Sequence, residues 1–161
     1  MKKYIFGFLT ALLPCTTFSA MVMARYMDIN IRNNTDSVLT CYIDVVQRGT
    51  LTFPGDYVVL GAGDHLRRGS ITARMGGGHR ARGTLHCILH NASNDDFFLY
   101  YRYEASDFRR VTGQATLEGR ATQLKNNTRV VVLKRRSSQV TSYDPMAKPA
   151  LTYVVWSTAS S

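Results

Sequence analysis

Acidic residues are scarce: 11 Asp and Glu stand against 20 Lys and Arg in 161 residues, a formal charge of +9 at pH 7. The few carboxylates are scattered, which argues against the paired carboxylates of a glycosidase. Cysteines number three. None belongs to a C-x-x-C or to a His/Cys cluster with zinc-ligand spacing, so no metal or other cofactor is expected. There is no G-x-S-x-G and no H-E-x-x-H, which leaves serine-hydrolase and zinc-protease chemistry without a foothold. Beyond the N-terminus, no segment approaches the roughly 20 apolar residues of a membrane helix. Helical periodicity is almost missing as well.

What is present begins with a leader. Lys2 and Lys3 precede an apolar stretch from Tyr4 to Leu13, then small and polar residues follow, the three-part form of a cleavable secretory signal peptide. Val22-Met23-Ala24 suits a cut after Ala24, with Ser19 and Ala20 as alternatives. A lipidated Cys15 is the competing reading, but Pro14 stands where that site wants a small, flexible residue. The expected division is 1–24 signal peptide, 25–142 β-sandwich domain, and 143–161 a proline-containing linker, final strand and short tail. The expected location is secreted or periplasmic.

Apolar residues after the leader alternate at period two, the pattern of half-buried strands. YMDINIR (26–32) sets Met27, Ile29 and Ile31 against Asp28, Asn30 and Arg32. VLTCYIDVV (38–46) puts Leu39, Cys41, Ile43 and Val45 on one face. GTLHCILH (83–90) groups Leu85, Cys87 and Leu89. FFLYYRYE (97–104) sets Phe97, Leu99, Tyr101 and Tyr103 against Phe98, Tyr100 and Arg102. TRVVVLK (128–134) and LTYVVW (151–156) complete the clear set. Weaker candidates are 51–53, 57–60, 70–74 and 111–117. Gly-, Asn- and Asp-rich turns separate these runs, so the expected fold is all-β: an antiparallel β-sandwich or small barrel of about 7–10 short strands.

Removing the leader leaves Cys41 and Cys87, which in an exported chain read as one intrachain disulfide; two buried free thiols are the alternative. Each cysteine lies on the more apolar face of its strand, so the sulfurs are expected to meet across the sandwich core. Asn33, Asn91 and Asn126 satisfy N-x-S/T. They read either as glycosylation acceptors or as strand corners, and the short, bacterial-looking leader favours corners.

Two stretches invite a functional reading. GGGHRARGTLHCILHN (76–91) packs three histidines and two arginines into a loop and the next strand. A hydrolytic site of ribonuclease type would use His79, His86 and His90, with Asp64, Glu104 or Asp107 as acid partner. His86 and His90 lie about 13 Å apart along a strand, too far to share one metal. DDFFLYYRYEASDFRR (95–110) leaves Phe98, Tyr100 and Arg102 in a row, with Phe108, Arg109 and Arg110 beyond. Aromatics beside arginines suit sugar stacking, a lipid interface or a protein hot spot, and equally suit packing inside a sandwich. The favoured expectation is a non-enzymatic binding module that engages an anionic membrane surface, a glycan or a protein partner. Nucleic acid is not the expected partner. A small basic hydrolase or a structural envelope component are the alternatives.

Overall fold

A computed structural model describes residues 25–105, 115–125, 127–135 and 148–157. The described residues form ten strands: β1 (Tyr26–Asn33), β2 (Leu39–Arg48), β3 (Thr50–Thr52), β4 (Tyr57–Leu60), β5 (Ile71–Arg74), β6 (Arg80–Leu89), β7 (Asp95–Ala105), β8 (Ala115–Thr122), β9 (Thr128–Arg135) and β10 (Ala150–Ser157). All six clear alternating segments are strands, and the four weaker ones overlap β3, β4, β5 and β8.

The strands make two five-stranded sheets, ordered β3-β5-β1-β10-β9 (sheet A) and β4-β2-β6-β7-β8 (sheet B). Period-two alternation gives each sheet one apolar face, and the two apolar faces bury each other. Met27, Ile29, Ile31, Leu151, Tyr153 and Val155 come from sheet A; Leu39, Leu85, Leu89, Phe97, Leu99 and Tyr101 come from sheet B. All pairings are antiparallel except β1 with β10, which run parallel in register from Asp28↔Ala150 to Asn33↔Val155. The last strand is thus an inner strand of sheet A, with β9 on its other side.

Alternation in β2 holds as far as Cys41 and then fails. Ile43, still in register with Leu85, is already exposed, and beyond it bulges between Ile43 and Val45 and between Val46 and Arg48 rotate the chain, leaving Val45 and Val46 exposed as well. A bulge inserts an unpaired residue and reverses the inward phase beyond it. The chain then crosses from sheet B to sheet A at Gly49, whose φ of 78° and close approach to the Arg74 carbonyl exclude a Cβ.

The disulfide joins Cys41 to Cys87, but not across the core as expected. The two residues are direct partners on neighbouring strands β2 and β6, with Cα atoms 4.1 Å apart. That is the closely spaced, non-hydrogen-bonded kind of antiparallel pair. Both sulfurs face inward and are fully buried. Inward phase says which face a cysteine occupies; it does not say whether its partner lies beside it or opposite it.

Asn33 resolves the first corner. Its side chain is buried and its Nδ2 donates to the carbonyls of Ser37 (2.7 Å), Leu60 (3.1 Å) and Gly61 (2.8 Å). Its Oδ1 accepts from the Thr35 amide (3.2 Å) and hydroxyl (2.6 Å). Asn91 likewise organises the β6–β7 corner, its Oδ1 accepting from the Ser93 and Asp95 amides. Asn126 lies outside the described residues.

Candidate functional site

Sheet B presents its outer face through the residues between the core positions. Tyr57 pairs with Tyr42, Tyr42 with His86, and His86 with Phe98. One cross-strand row of four rings therefore runs over β4, β2, β6 and β7. Ring centroids are 6.0 Å apart for Tyr57–Tyr42 and 6.0 Å for Tyr42–His86. His86 and Phe98 stack at 4.8 Å with planes 17° apart. Neighbouring rings at such spacing stabilise one another by roughly 0.5–1.5 kcal/mol per pair beyond their buried area. Asp96 Oδ1 is hydrogen-bonded to His86 Nε2, which fixes the imidazole in the row.

The next row is cationic. Tyr100 lies between Thr84 on β6 and Arg120 on β8. The Arg120 guanidinium sits 4.8 Å from the Tyr100 ring centre and that of Arg82 sits 6.0 Å from it. Arg82 Nε also donates to Gln47 Oε1 at 2.5 Å. Neither guanidinium lies within ion-pair distance of a carboxylate among the described residues. Arg102, one row further, behaves differently. It donates to Glu104 at 2.6 Å and lies 3.6 Å from Glu118. The hydrogen bond it donates to Glu104 holds the Arg102 guanidinium above its usual range. In return Arg102, then the charges of Arg80 and Arg82, hold the Glu104 carboxyl below its own, against its desolvation.

The expected binding residues Phe98, Tyr100 and Arg102 thus share one outer face, each half-buried, while Phe97, Leu99, Tyr101 and Tyr103 fill the core. Phe108, Arg109 and Arg110 lie outside the described residues, as does Asp107. The three histidines are not brought together. His79 sits in the turn before β6 with φ 58°, His86 in mid-strand, and His90 just past the strand end, where its Nε2 is 3.0 Å from Thr40 Oγ1. The full length of β6 separates His79 from His90, roughly 30 Å or more at 3.3 Å per residue. Of the acid partners, Asp64 accepts from the Gly61 amide in a turn and Glu104 is held by Arg102. The geometry of a three-histidine hydrolytic site is not formed. Among the described residues no group of three or more His, Cys, Asp or Glu is placed to hold a metal ion.

Tyr42, Tyr57, Arg82 and Arg120 were not singled out by sequence reasoning. A signal for two of them was present: once Cys41 and Cys87 are direct partners, Tyr42 must oppose His86, and Arg82 lies on the same face of β6 as His86. Arg120 has no such marker, because the register of β8 depends on a connection rather than on a pattern. No protein-family description matches the chain, and no curated protein is detectably similar in sequence.

Proposed function

We propose that the chain is an exported binding module, not an enzyme, whose sheet B outer face engages an anionic glycan. The observation that carries this reading is Tyr100 held between the guanidiniums of Arg82 and Arg120, beside the Tyr57–Tyr42–His86–Phe98 row. Guanidinium suits carboxylate and sulfate oxygens in paired hydrogen bonds, and ring edges and faces suit the C–H surfaces of sugars. The same face carries Glu104, Glu118 and Asp96 among its arginines. Carboxylates paired with arginines interrupt the positive charge of the face, and a polymer with spaced charges and hydroxyls fits such an alternating surface. A disulfide is consistent with an oxidising, extracytoplasmic compartment, where glycans are met.

The test is binding of the purified protein to immobilised heparin, with dextran as the uncharged control, at two salt concentrations. We expect retention on heparin that weakens with salt, and a loss of about 10-fold in affinity for Arg82→Gln or Arg120→Gln, the worth of one charge-assisted hydrogen bond. Retention that ignores both salt and the double substitution sinks the reading.

A further inference from the structure

The opposite face of the sandwich holds a cleft of about 440 Å³. Its floor is the outer face of sheet A: Asn30 and Arg32 from β1, Thr152 from β10 and Arg135 from β9. One wall is the β4–β5 connection, residues 65–68, laid alongside β1 by the Leu66 amide to the Ile31 carbonyl (2.9 Å) and the Asn33 amide to the Asp64 carbonyl (2.8 Å). Four arginines (32, 67, 68 and 135) and His65 line the space. Arg68 is 4.0 Å from Asp28, and Arg135 donates to the Lys148 carbonyl at 2.8 Å. Arg32 and Arg67 are exposed and have no carboxylate within ion-pair distance among the described residues. Placing so many like charges around one hollow is unfavourable without a counter-charge.

A second observation refines the ligand. Asn30 Oδ1 is a buried atom with no hydrogen-bond partner, while its Nδ2 is 3.4 Å from Thr152 Oγ1. A buried acceptor left unpaired costs about 1–3 kcal/mol, and what satisfies it is a donor. The arginines ask for an oxyanion and Asn30 asks for a hydroxyl. We infer that this cleft binds a phosphate monoester carried on a sugar or polyol, with Arg32 and Arg67 on the phosphate and Asn30 on a neighbouring hydroxyl. A volume of this size lies within the range of small-molecule sites. The site is independent of the glycan face on sheet B. Exposed Leu133, which pairs with Thr152, and Trp156 rim the same face, so the phosphorylated polyol can come free in solution or as the headgroup of a lipid.

Calorimetric titration of the purified protein separates the two sources. One arm uses glucose 6-phosphate, with glucose and inorganic phosphate as partial ligands; the other uses phosphatidylcholine vesicles with and without phosphatidylinositol 4-phosphate. Saturable binding in either arm, weakened about 10-fold by Arg67→Gln and by Arg32→Gln, supports the inference, and the arm in which it occurs names the source. Asn30→Ala is expected to erase the preference for the ester over inorganic phosphate while leaving phosphate affinity in place. Arg67 lies in an exposed connection, so its substitution does not endanger folding, and thermal melting checks each variant. Absence of binding in both arms, or binding untouched by the Arg32→Gln, Arg67→Gln double substitution, overturns the assignment.

Discussion

The Tyr153 hydroxyl donates a hydrogen bond to the main-chain carbonyl of Tyr100, 2.5 Å away. Tyr153 is on β10 of sheet A and Tyr100 on β7 of sheet B, so this single bond ties the two layers through the dry core. It also anchors the backbone of the residue held between Arg82 and Arg120. Removing the hydroxyl leaves the rest of the ring packed but withdraws a polar partner from a buried setting. We expect Tyr153→Phe to lower stability by about 1–3 kcal/mol in chemical unfolding, and to weaken ligand binding on the outer face through Tyr100. Unchanged stability would mean that the bond is not made in solution.

Alkali offers a second check on the same core. Burial pushes the phenols of Tyr101 and Tyr103 up from an ordinary value of 10.0 to about 12, and Tyr153 is pushed up further still by burial and by its neighbours Tyr101 and Tyr100. A raised value in the folded state means that the folded chain keeps its protons where the unfolded chain has begun to lose them. The stabilisation is therefore complete below about pH 10 and is lost as pH rises from there towards 12. Tyrosinate absorbance followed alongside circular dichroism is expected to show these rings ionising together with unfolding. Full ionisation of the tyrosines near pH 10 in a chain that is still folded would contradict their burial.

The Cys41–Cys87 bond closes a loop across 46 residues, for which chain entropy gives a stabilisation of about 4 kcal/mol. Replacing both cysteines with alanine is expected to lower stability by up to that amount, with further loss from the vacated core volume. Because the bond is lateral within sheet B, its removal leaves the packing between the sheets largely in place. It loosens instead the Tyr42–His86 neighbour pair. Binding to the aromatic face should fall more steeply than the circular dichroism of the native sheet. Peptide mapping without reductant must find residues 41 and 87 linked; free, readily alkylated thiols in the native protein would refute the bond.

The strand content was legible because alternation at period two is a local property, carried clearly by β1 and β6. Cys41 and Cys87 were correctly given an inward phase for the same reason. Their mutual position was not legible, since register between strands is a non-local choice and the same phase serves a lateral or a cross-core partner. The Val45–Arg48 stretch misled for a related reason: nothing in the residues themselves marks the bulges that shift the register beyond Ile43. On the candidate surface, Phe98 and Tyr100 could be placed on one face from β7 alone. Their companions Arg82 and Arg120 come from two other strands, and only pairing brings them to Tyr100. The arginine cleft on sheet A was invisible for the same cause, with its lining drawn from β1, β9, β10 and a connection far apart in sequence.

Asn33 is the corner residue on which the β1–β2 turn and the end of β4 converge. Its two amide hydrogens are shared among three main-chain carbonyls, and its Oδ1 accepts from the Thr35 amide and hydroxyl, groups that would otherwise lose a partner. Asn33→Ala is expected to cost about 3 kcal/mol, at the high end for a single polar deletion because several partners are orphaned at once. Expression in a glycosylating host supplies a complementary measurement. The buried Asn33 amide offers no access to a transferase once the corner is folded, so folded material is expected to carry no glycan there. A glycan on Asn33 in stable, folded protein would show that the corner is built otherwise.

The β6–β7 and β8–β9 corners are held to each other by Asp95, a carboxylate only 1% exposed. The Thr128 hydroxyl donates to it, Asn91 Nδ2 donates at 3.0 Å, and Lys125 Nζ lies 3.8 Å from Oδ1 while bonding the Ser93 and Asn94 carbonyls at 3.1 and 3.2 Å. Burial alone would raise the pKa of Asp95 and is the largest single influence; the hydrogen bonds from Thr128, Asn91 and Ser93, with the charge of Lys125, outweigh it and hold the group below 3.8. A depressed value in the folded state stabilises the protein above the unfolded value, and that contribution disappears as pH falls through the folded one. Thr128→Val removes the foremost of the opposing influences at nearly constant side-chain volume. Its stability is therefore expected to fall at neutral pH, where the contribution is fully present, with the acid-unfolding midpoint moved to higher pH and the difference from the wild type shrinking as the carboxyl protonates. Superimposable acid transitions for the two proteins would show that the Thr128 bond does not govern this carboxylate, and the coupling of the two corners would have to rest on Lys125 instead.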